Sequence, residues 1–315
     1  MSDMETFAVV MEGPEQLSLR RLALQSFAAD DVVVDIEFSG ISTGTERLLW
    51  TGRMPPFPGM GYPLVPGYES VGRVIDAGSK ARTRVGETVF VPGASCFKDA
   101  RGLFGGAARR LIVPSARAIS IDESVREQGV LIALAATAQH AISAGDTPPR
   151  LIVGHGVLGR LLARLTIAAG HAPPVVWEKN PARRGGATGY SVIDPDADDC
   201  RDYGAIFDVS GDAGILDTLI SRLRRGGEIV LAGFYDKPLS FAFAPSFMRE
   251  ARIRVAAEWK PYELEATLAA IHGGQLSLDG LITHRMDALS ASDAYPIAFG
   301  DSACLKMVLD WKGCA

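Results

Sequence analysis

The sequence predicts an α/β protein of two domains, one mainly β and one built on a doubly wound parallel sheet. Three observations carry that expectation. Residues 150–160, Arg-Leu-Ile-Val-Gly-His-Gly-Val-Leu-Gly-Arg, join a short apolar run to Gly154, Gly156 and Gly159 in the spacing G-x-G-x-x-G. From there to about residue 271, apolar runs of strand length alternate with segments of helical periodicity, the pattern of a parallel sheet covered by helices. Before it, residues 1–121 hold several short β-branched runs punctuated by glycine, proline and charge. A chain of 315 residues is long enough for two cores, here 1–121 and 122–280 with a short remainder.

Taken in order, residues 6–12, 31–38, 71–76, 88–91, 108–113 and 118–121 read as strands of the first domain. Residues 47–66 stand apart: Leu48, Leu49, Trp50, Met54, Phe57, Met60 and Tyr62 are interleaved with prolines and glycines, which excludes a regular helix or a central strand. The segment is either a loop folded onto the core or one wall of a pocket for a large flat apolar ligand. Residues 123–143, rich in alanine and leucine, read as a helix leading into the glycine motif. Strands follow at 150–153, 174–177, 191–193, 205–209, 228–232 and 253–257, with helices at 157–169, 213–224 and 262–271. The glycine-rich stretch 179–191 leaves room only for a reduced helix.

Composition narrows the function. At 47% hydrophobic and 22% charged the chain is an ordinary globular protein, and its net charge of −5 gives no reason to expect nucleic acid or an anionic membrane surface. The first residues show no signal-peptide pattern, and no apolar run approaches the ~20 residues of a membrane span, so a cytoplasmic protein is expected. Cys96, Cys200, Cys304 and Cys314 are scattered without a C-x-x-C pair and read as reduced thiols.

The glycine motif points to a dinucleotide. The first glycine permits the tight strand-to-helix turn, the second lets a pyrophosphate approach the backbone, and the third lets the helix pack on the strand. The anion would sit at the N-terminus of the helix that Val157 and Leu158 open, where free N–H groups and the dipole favour it. His155 lies between two of the glycines and is expected beside the pyrophosphate. Glu178 ends the next strand, 24 residues beyond Gly154, where an acid binds the adenosine ribose and repels a 2′-phosphate. NAD is therefore expected over NADP, although the arginines after Glu178 argue the other way.

Several stretches resemble the medium-chain dehydrogenase/reductase family. They are Ser39-Gly-Ile-Ser-Thr-Gly-Thr-Glu46, Pro66-Gly-Tyr-Glu-Ser-Val-Gly72, residues 85–92 and 105–114, Ile282-Thr-His-Arg285 and Lys306-Met-Val-Leu309. The resemblance implies a GroES-like catalytic domain over 1–121, completed by 281–315, and a Rossmann NAD-binding domain over 122–280. It also shows departures. Ser42 and Tyr68 stand where zinc members have cysteine and histidine, and Ala135 and Ala136 occupy the region of the third ligand. Serine, tyrosine and alanine do not make a zinc site, and only Cys96 remains of a structural-zinc lobe, so no metal is expected. An imidazole–carboxylate pair from His140 and Glu69 is the weaker alternative.

The run Ser42–Arg47, the insert 52–58 and Tyr68 are similar to a zinc-free branch of the family that works on bacteriochlorophyll precursors. That resemblance implies NAD-dependent oxidation of the 3-(1-hydroxyethyl) group of a chlorin or bacteriochlorin to acetyl, with a tetrapyrrole (bacteriochlorophyllide or chlorophyllide) as substrate. Tyr68 becomes the candidate acid/base, its pKa lowered beside a cationic nicotinamide, with Ser42 or Thr45 as hydrogen-bond partner or relay. A tyrosine that merely fills the volume of a lost ligand is the competing reading. Arg47 and Arg53 are candidates for the substrate carboxylate, and Trp50, Phe57 and Tyr62 for its macrocycle. Thr137, Arg183, Ser210, Gly211 and Gly233 join the cofactor set. Glu69 is expected to pair with an arginine or backbone, and His140 to pack in the core. A homodimer stays open. Two other functions compete: an NADPH-dependent quinone or enone reductase, and a catalytically silent nucleotide-binding redox sensor.

Overall fold

The computed structural model describes residues 4–56 and 58–314. The chain forms two compact units, Met1–Ala133 with Leu281–Ala315, and Leu134–Gly280. In chain order the first 131 residues give β1 (Glu5–Gly13), β2 (Gln16–Ala23), β3 (Asp31–Ile41), α1 (Thr45–Trp50), β4 (Ser70–Ala77), β5 (Thr88–Val91), β6 (Arg110–Pro114) and β7 (Ile119–Ser120). Then follow α2 (Ile132–Ser143), β8 (Leu151–Val153), α3 (Val157–Ala168), β9 (Val175–Trp177), β10 (Ser191–Ile193) and β11 (Tyr203–Asp208). The chain continues through α4 (Leu216–Arg222), β12 (Leu223–Leu231), α5 (Phe243–Arg249), β13 (Arg252–Val255), α6 (Pro261–His272), β14 (His284–Asp287), α7 (Ala291–Gly300) and β15 (Met307–Asp310).

In the first unit, β1 and β2 form a hairpin, and a second sheet runs β14-β15-β3-β4-β5-β7, with β6 also paired to β3. β3 lies at the centre of this sheet and buries Val32, Val33, Val34, Ile36 and Ile41 in the core. The C-terminal return enters through β15, which pairs antiparallel with the end of β3, Met307 opposite Ile41. β2 has no counterpart among the strands expected from the sequence. Its Leu17, Leu19 and Leu22 are diluted by Arg20 and Arg21, and only pairing with β1 makes it a strand.

Two expected elements change. Residues 123–143 are not one helix: Glu123–Leu131 is a 3-10 segment broken at Arg126, and the α-helix starts at Ile132. That segment packs on β3 and β4, with Gly129 so close to Val71 that a Cβ would stand 2.7 Å from its Cγ2. The contact boundary therefore lies at residue 133 rather than 121. Likewise, the segment 47–66 does begin helically, because α1 carries its first residues before the prolines end it.

The second unit is a six-stranded parallel sheet in the order β10-β9-β8-β11-β12-β13. The order reverses between β8 and β11, whose residues are all buried, so the carboxyl ends of these strands diverge at a topological switch point. The crossover from β9 to β10 lacks a full helix, as its glycine content predicts, and holds only the 3-10 turn Pro181–Arg183. Backbone carbonyls there need donors from elsewhere. Arg160, buried on α3, supplies them: Nε donates to His155 O (3.1 Å), Nη1 to Gly186 O (3.1 Å), and Nη2 to Gly185 O (2.8 Å) and Arg183 O (3.2 Å).

An Arg160→Leu substitution should therefore orphan the carbonyls of His155, Gly185 and Gly186, while Arg183 O keeps the His155 ring as donor, at a cost of about 2–4 kcal/mol. Urea unfolding monitored through Trp177, which the second unit buries, checks this; an unchanged midpoint would mean that water satisfies the loop equally well.

Candidate functional site

Two constellations emerge, one in each unit. In the second unit the glycine turn has the shape of a pyrophosphate cradle. Gly154 sits at φ +108° against the Ser210 backbone, a conformation that disfavours any side chain. A Cβ on Gly159 would lie 1.9 Å from Gly154 O, so α3 can pack on the turn only with glycine there. At Gly156 the missing Cβ faces open space, with no atom within 4 Å, and the helix begins at the next residue with no side-chain cap. Its first N–H groups are therefore available to an anion. Val157 is buried under the turn, whereas Leu158 is half-buried.

Glu178 directly follows β9, with both oxygens oriented by backbone: Oε1 accepts from Asn180 N–H (2.8 Å) and Oε2 from His155 N–H (3.3 Å). The end of β11 supplies Ser210, exposed, and Gly211, whose φ is +72°. Gly233, beyond β12, approaches Gly211 so closely that a Cβ would lie 3.3 Å from its nitrogen. Buried Asp208 braces this end of the sheet, accepting from Ser210 N–H (2.9 Å) and from the Tyr235 hydroxyl (2.8 Å). Thr137 is half-buried on α2. Arg183 is half-buried in the 3-10 turn, and its carbonyl serves Arg160 and His155.

His155 does not turn its ring to the glycines. The ring is buried, with Nδ1 2.7 Å from Arg183 O and Nε2 2.9 Å from the Tyr190 hydroxyl. Burial pushes its pKa down, and a carbonyl can only accept, so the neutral ring donates from Nδ1 and accepts the Tyr190 proton at Nε2. It is a brace of the 183–190 loop. His140 is likewise no apolar core residue: its Nδ1 meets Glu263 at 2.9 and 3.1 Å, and Ser143 donates to the same carboxylate (2.7 Å).

In the first unit the loop after β3 and the residues before β4 bring Ser42, Thr45 and Tyr68 together. Ser42 Oγ is 2.6 Å from the Tyr68 hydroxyl, and Thr45 Oγ1 is 3.5 Å from it. The Tyr68 ring rests edge-on against Phe104, at 5.1 Å between centroids. Behind this pair lie two buried carboxyls. Glu69 pairs with Lys306, whose Nζ stands 2.6 and 2.9 Å from its oxygens and also donates to Ile41 O (3.2 Å). The expected arginine partner is thus a lysine from the C-terminal return. Glu46 accepts from Ser42 N–H (2.9 Å) and from the Tyr295 hydroxyl (2.9 Å).

The protein's own groups around Tyr68 act against a lowered pKa. Burial and the nearby Glu69 charge push its phenol well above the ordinary tyrosine range, outweighing the hydrogen bonds from Ser42 and Thr45. Glu46 is pushed up to about 7, chiefly by burial, with Glu69 adding repulsion. Among the described residues no three His, Cys, Asp or Glu side chains are grouped to hold a metal ion. Both members of the alternative pair have other partners, Glu69 in Lys306 and His140 in Glu263.

The insert residues divide. Trp50 and Tyr62 are half-buried against the first unit's core, and the Tyr62 hydroxyl donates to Leu49 O, so the insert is at least in part a loop folded onto that core. Arg47 is exposed on α1; Arg53 is exposed too, with Nε donating to Thr51 Oγ1 (3.2 Å). Phe57 lies outside the described residues. Phe104, Lys306, Tyr295, Arg160 and Tyr190 were not singled out by sequence. An arginine on the apolar face of a motif helix is the one local signal among them, since the others act across long separations.

Comparison with known proteins gives a consistent result. The family model "Alcohol dehydrogenase GroES-like domain" matches residues 28–123. The 2-desacetyl-2-hydroxyethyl bacteriochlorophyllide A dehydrogenase of Rhodobacter capsulatus is 58% identical over 311 residues, spanning 98% of this chain and 99% of the relative. The enzyme of the same name from Cereibacter sphaeroides is 56% identical, spanning 99% of this chain and 100% of its own. Among solved structures, an alcohol dehydrogenase from Escherichia coli CFT073 complexed with NADH superposes with a TM-score of 0.82 at 22% identity, covering 98% of this chain and 99% of that one, a likeness of fold.

The raised pKa of Glu46 predicts a pH-dependent stability. Between an ordinary value of 4.5 and about 7, the folded unit keeps a proton that the unfolded chain releases, so its contribution is full below pH 4.5 and is lost as pH rises through 7. The loss amounts to about 3 kcal/mol. Glu46→Gln should abolish that part of the slope, so the variant gains on the wild type between pH 5 and pH 8 in urea unfolding. Parallel pH profiles for the two proteins would contradict it.

Proposed function

We propose that this chain, which belongs to the 2-desacetyl-2-hydroxyethyl bacteriochlorophyllide A dehydrogenases within the medium-chain dehydrogenase/reductase family, oxidises the hydroxyethyl side chain of a bacteriochlorophyllide or chlorophyllide to acetyl with NAD. The single observation that carries this is identity of 56–58% over essentially the whole of two such enzymes. The chemistry of the sites supports it. The second unit offers a glycine cradle open at Gly156 and an oriented carboxylate at Glu178, which suit a pyrophosphate and an unphosphorylated ribose. The first offers hydroxyls where related enzymes carry zinc ligands. Two hydroxyls 2.6 Å apart handle protons and do not form the thiolate–imidazole donor set that zinc selects.

Oxidation of a secondary alcohol removes a hydride from carbon and a proton from oxygen. NAD supplies the hydride acceptor when bound. The chain's own residues then hold the substrate oxygen and carry away its proton. A tyrosine whose pKa is raised cannot wait as a phenolate, so Tyr68 acts as a neutral relay. It takes the substrate proton at its oxygen while passing its own to Ser42 Oγ, and the serine proton leaves by Thr45 or water. One proton is released overall, and no residue keeps a net charge.

We assign the substrate carboxylate to Arg47 and Arg53, which are exposed, and the macrocycle to Trp50, Tyr62 and Phe57 of the insert. Thr137, Arg183, Ser210, Gly211 and Gly233 complete the cofactor set around Gly154–Gly159 and Glu178.

Purified protein given NAD and a 3-hydroxyethyl bacteriochlorophyllide should produce NADH while the macrocycle band shifts to the red as a carbonyl joins its conjugation. No turnover here, with NADPH-dependent reduction of quinones or enones instead, would replace this function with the reductase. Tyr68→Phe should lower kcat about 10²–10⁴-fold with NAD affinity unchanged. A normal kcat in that variant would leave Tyr68 a space-filling residue.

A further inference from the structure

Three basic residues follow Glu178 closely, Lys179, Arg183 and Arg184, and a cation beside a ribose-binding acid is what a 2′-phosphate needs. The structure shows how one of them is occupied. Arg184 folds back on the strand end: its Nε donates to Glu178 O (2.8 Å), and its Nη2 to Lys179 O (3.0 Å) and to the Asp194 carboxylate. A guanidinium hydrogen-bonded to the backbone of Glu178 lies beside the ribose position that residue defines. The charge that would attract a phosphate there is cancelled by Asp194 at the end of β10.

We propose that Asp194 is a specificity-determining residue for the cofactor, holding Arg184 neutralised against the Glu178 strand end so that NADP gains nothing from it. This rests on the NAD-binding reading of the glycine cradle and extends it. Asp194 acts through Arg184: by compensating the guanidinium it leaves the Glu178 carboxylate unopposed in disfavouring a second phosphate. Such a pair, with side chains 28% and 37% exposed, contributes little to stability, but charge placement at a binding site changes selectivity without needing a stability contribution. The Asp194 side chain also holds the local backbone, because Oδ1 accepts from Asp196 N–H (3.0 Å) and caps the turn Pro195–Ala197. Asparagine keeps that acceptor and drops the charge, so it is the variant that isolates the effect.

The test measures dissociation constants of NAD and NADP by calorimetry for the wild type, Asp194→Asn, and Asp194→Asn combined with Arg184→Ala. Binding alone is read, so the result does not depend on turnover. Asp194→Asn should tighten NADP about tenfold or more and leave NAD within about threefold, with the NADP gain shrinking as salt is raised from about 50 to about 300 mM. Adding Arg184→Ala should remove the gain. If Asp194→Asn binds NAD normally but NADP no better, or if the gain survives loss of Arg184, the proposal is wrong. A wild type that binds neither nucleotide, or prefers NADP, would instead overturn the NAD reading beneath it. An Asp194→Asn protein that has lost NAD binding would also overturn the proposal, because the residue would then be structural.

Discussion

The first unit turns on one buried ion pair. The Lys306 ammonium and the Glu69 carboxylate are both withdrawn from water and stand 2.6 Å apart. Taking two such charges out of solvent costs several kcal/mol per ion, a cost met only when the geometry is good and the remaining donors find acceptors. Here a second donor of the ammonium reaches Ile41 O. The same Nζ thus binds Ile41, the residue before Ser42, and Glu69, the residue after Tyr68. The hydroxyl pair at 2.6 Å is held by its chain neighbours, both tied to one atom that arrives from the C-terminal return. Gly40 belongs to this arrangement, since a Cβ there would lie 2.2 Å from Glu69 Oε2.

The second unit solves a related problem with the same kind of side chain. Its β9–β10 crossover is too short in helix to satisfy its own backbone, and Arg160 reaches out of α3 to bind four carbonyls. His155 and Tyr190 extend the brace. In each unit a buried cation ties together backbone or side-chain acceptors from separate stretches of chain. The result is local rigidity at the positions that the proposed chemistry uses: the Ser42–Tyr68 pair and the loop that follows Glu178. A guanidinium suits the second case, because its fixed fork of donors meets several carbonyls at once, and a compact ammonium suits the first.

The Rossmann-type sheet was legible because its central strands β8 and β11 are buried throughout and its glycines sit at fixed offsets from a strand and a helix. Ser42 and Tyr68 were legible as departures from a family pattern. What escaped was set by distance along the chain. No spacing rule links Glu69 to Lys306 or Glu46 to Tyr295, which the sheet brings together across more than two hundred residues. The environment of Tyr68 escaped for the same reason, since its pKa depends on burial first and then on a carboxyl network, both of which only folding creates. The helix expected over 123–143 failed locally: alanine and leucine content spoke for it, but packing of Gly129 on Val71 imposed a tighter path.

The charges around Tyr68 bear on how a metal-free site can oxidise an alcohol. A zinc ion would stabilise an alkoxide directly. Replacing that ion by a cationic side chain touching the phenol would favour a phenolate base, and Lys306 is chemically able to provide one. Instead the ammonium is committed to Glu69, and burial, with Glu69 and Glu46 nearby, raises the pKa of the phenol. The proposed relay through neutral hydroxyls suits such a site, because it asks no intermediate to survive as an unpaired anion beside Glu69. In that proposal the ion pair that ties down the chain neighbours of the hydroxyls also bears on the kind of proton chemistry asked of them.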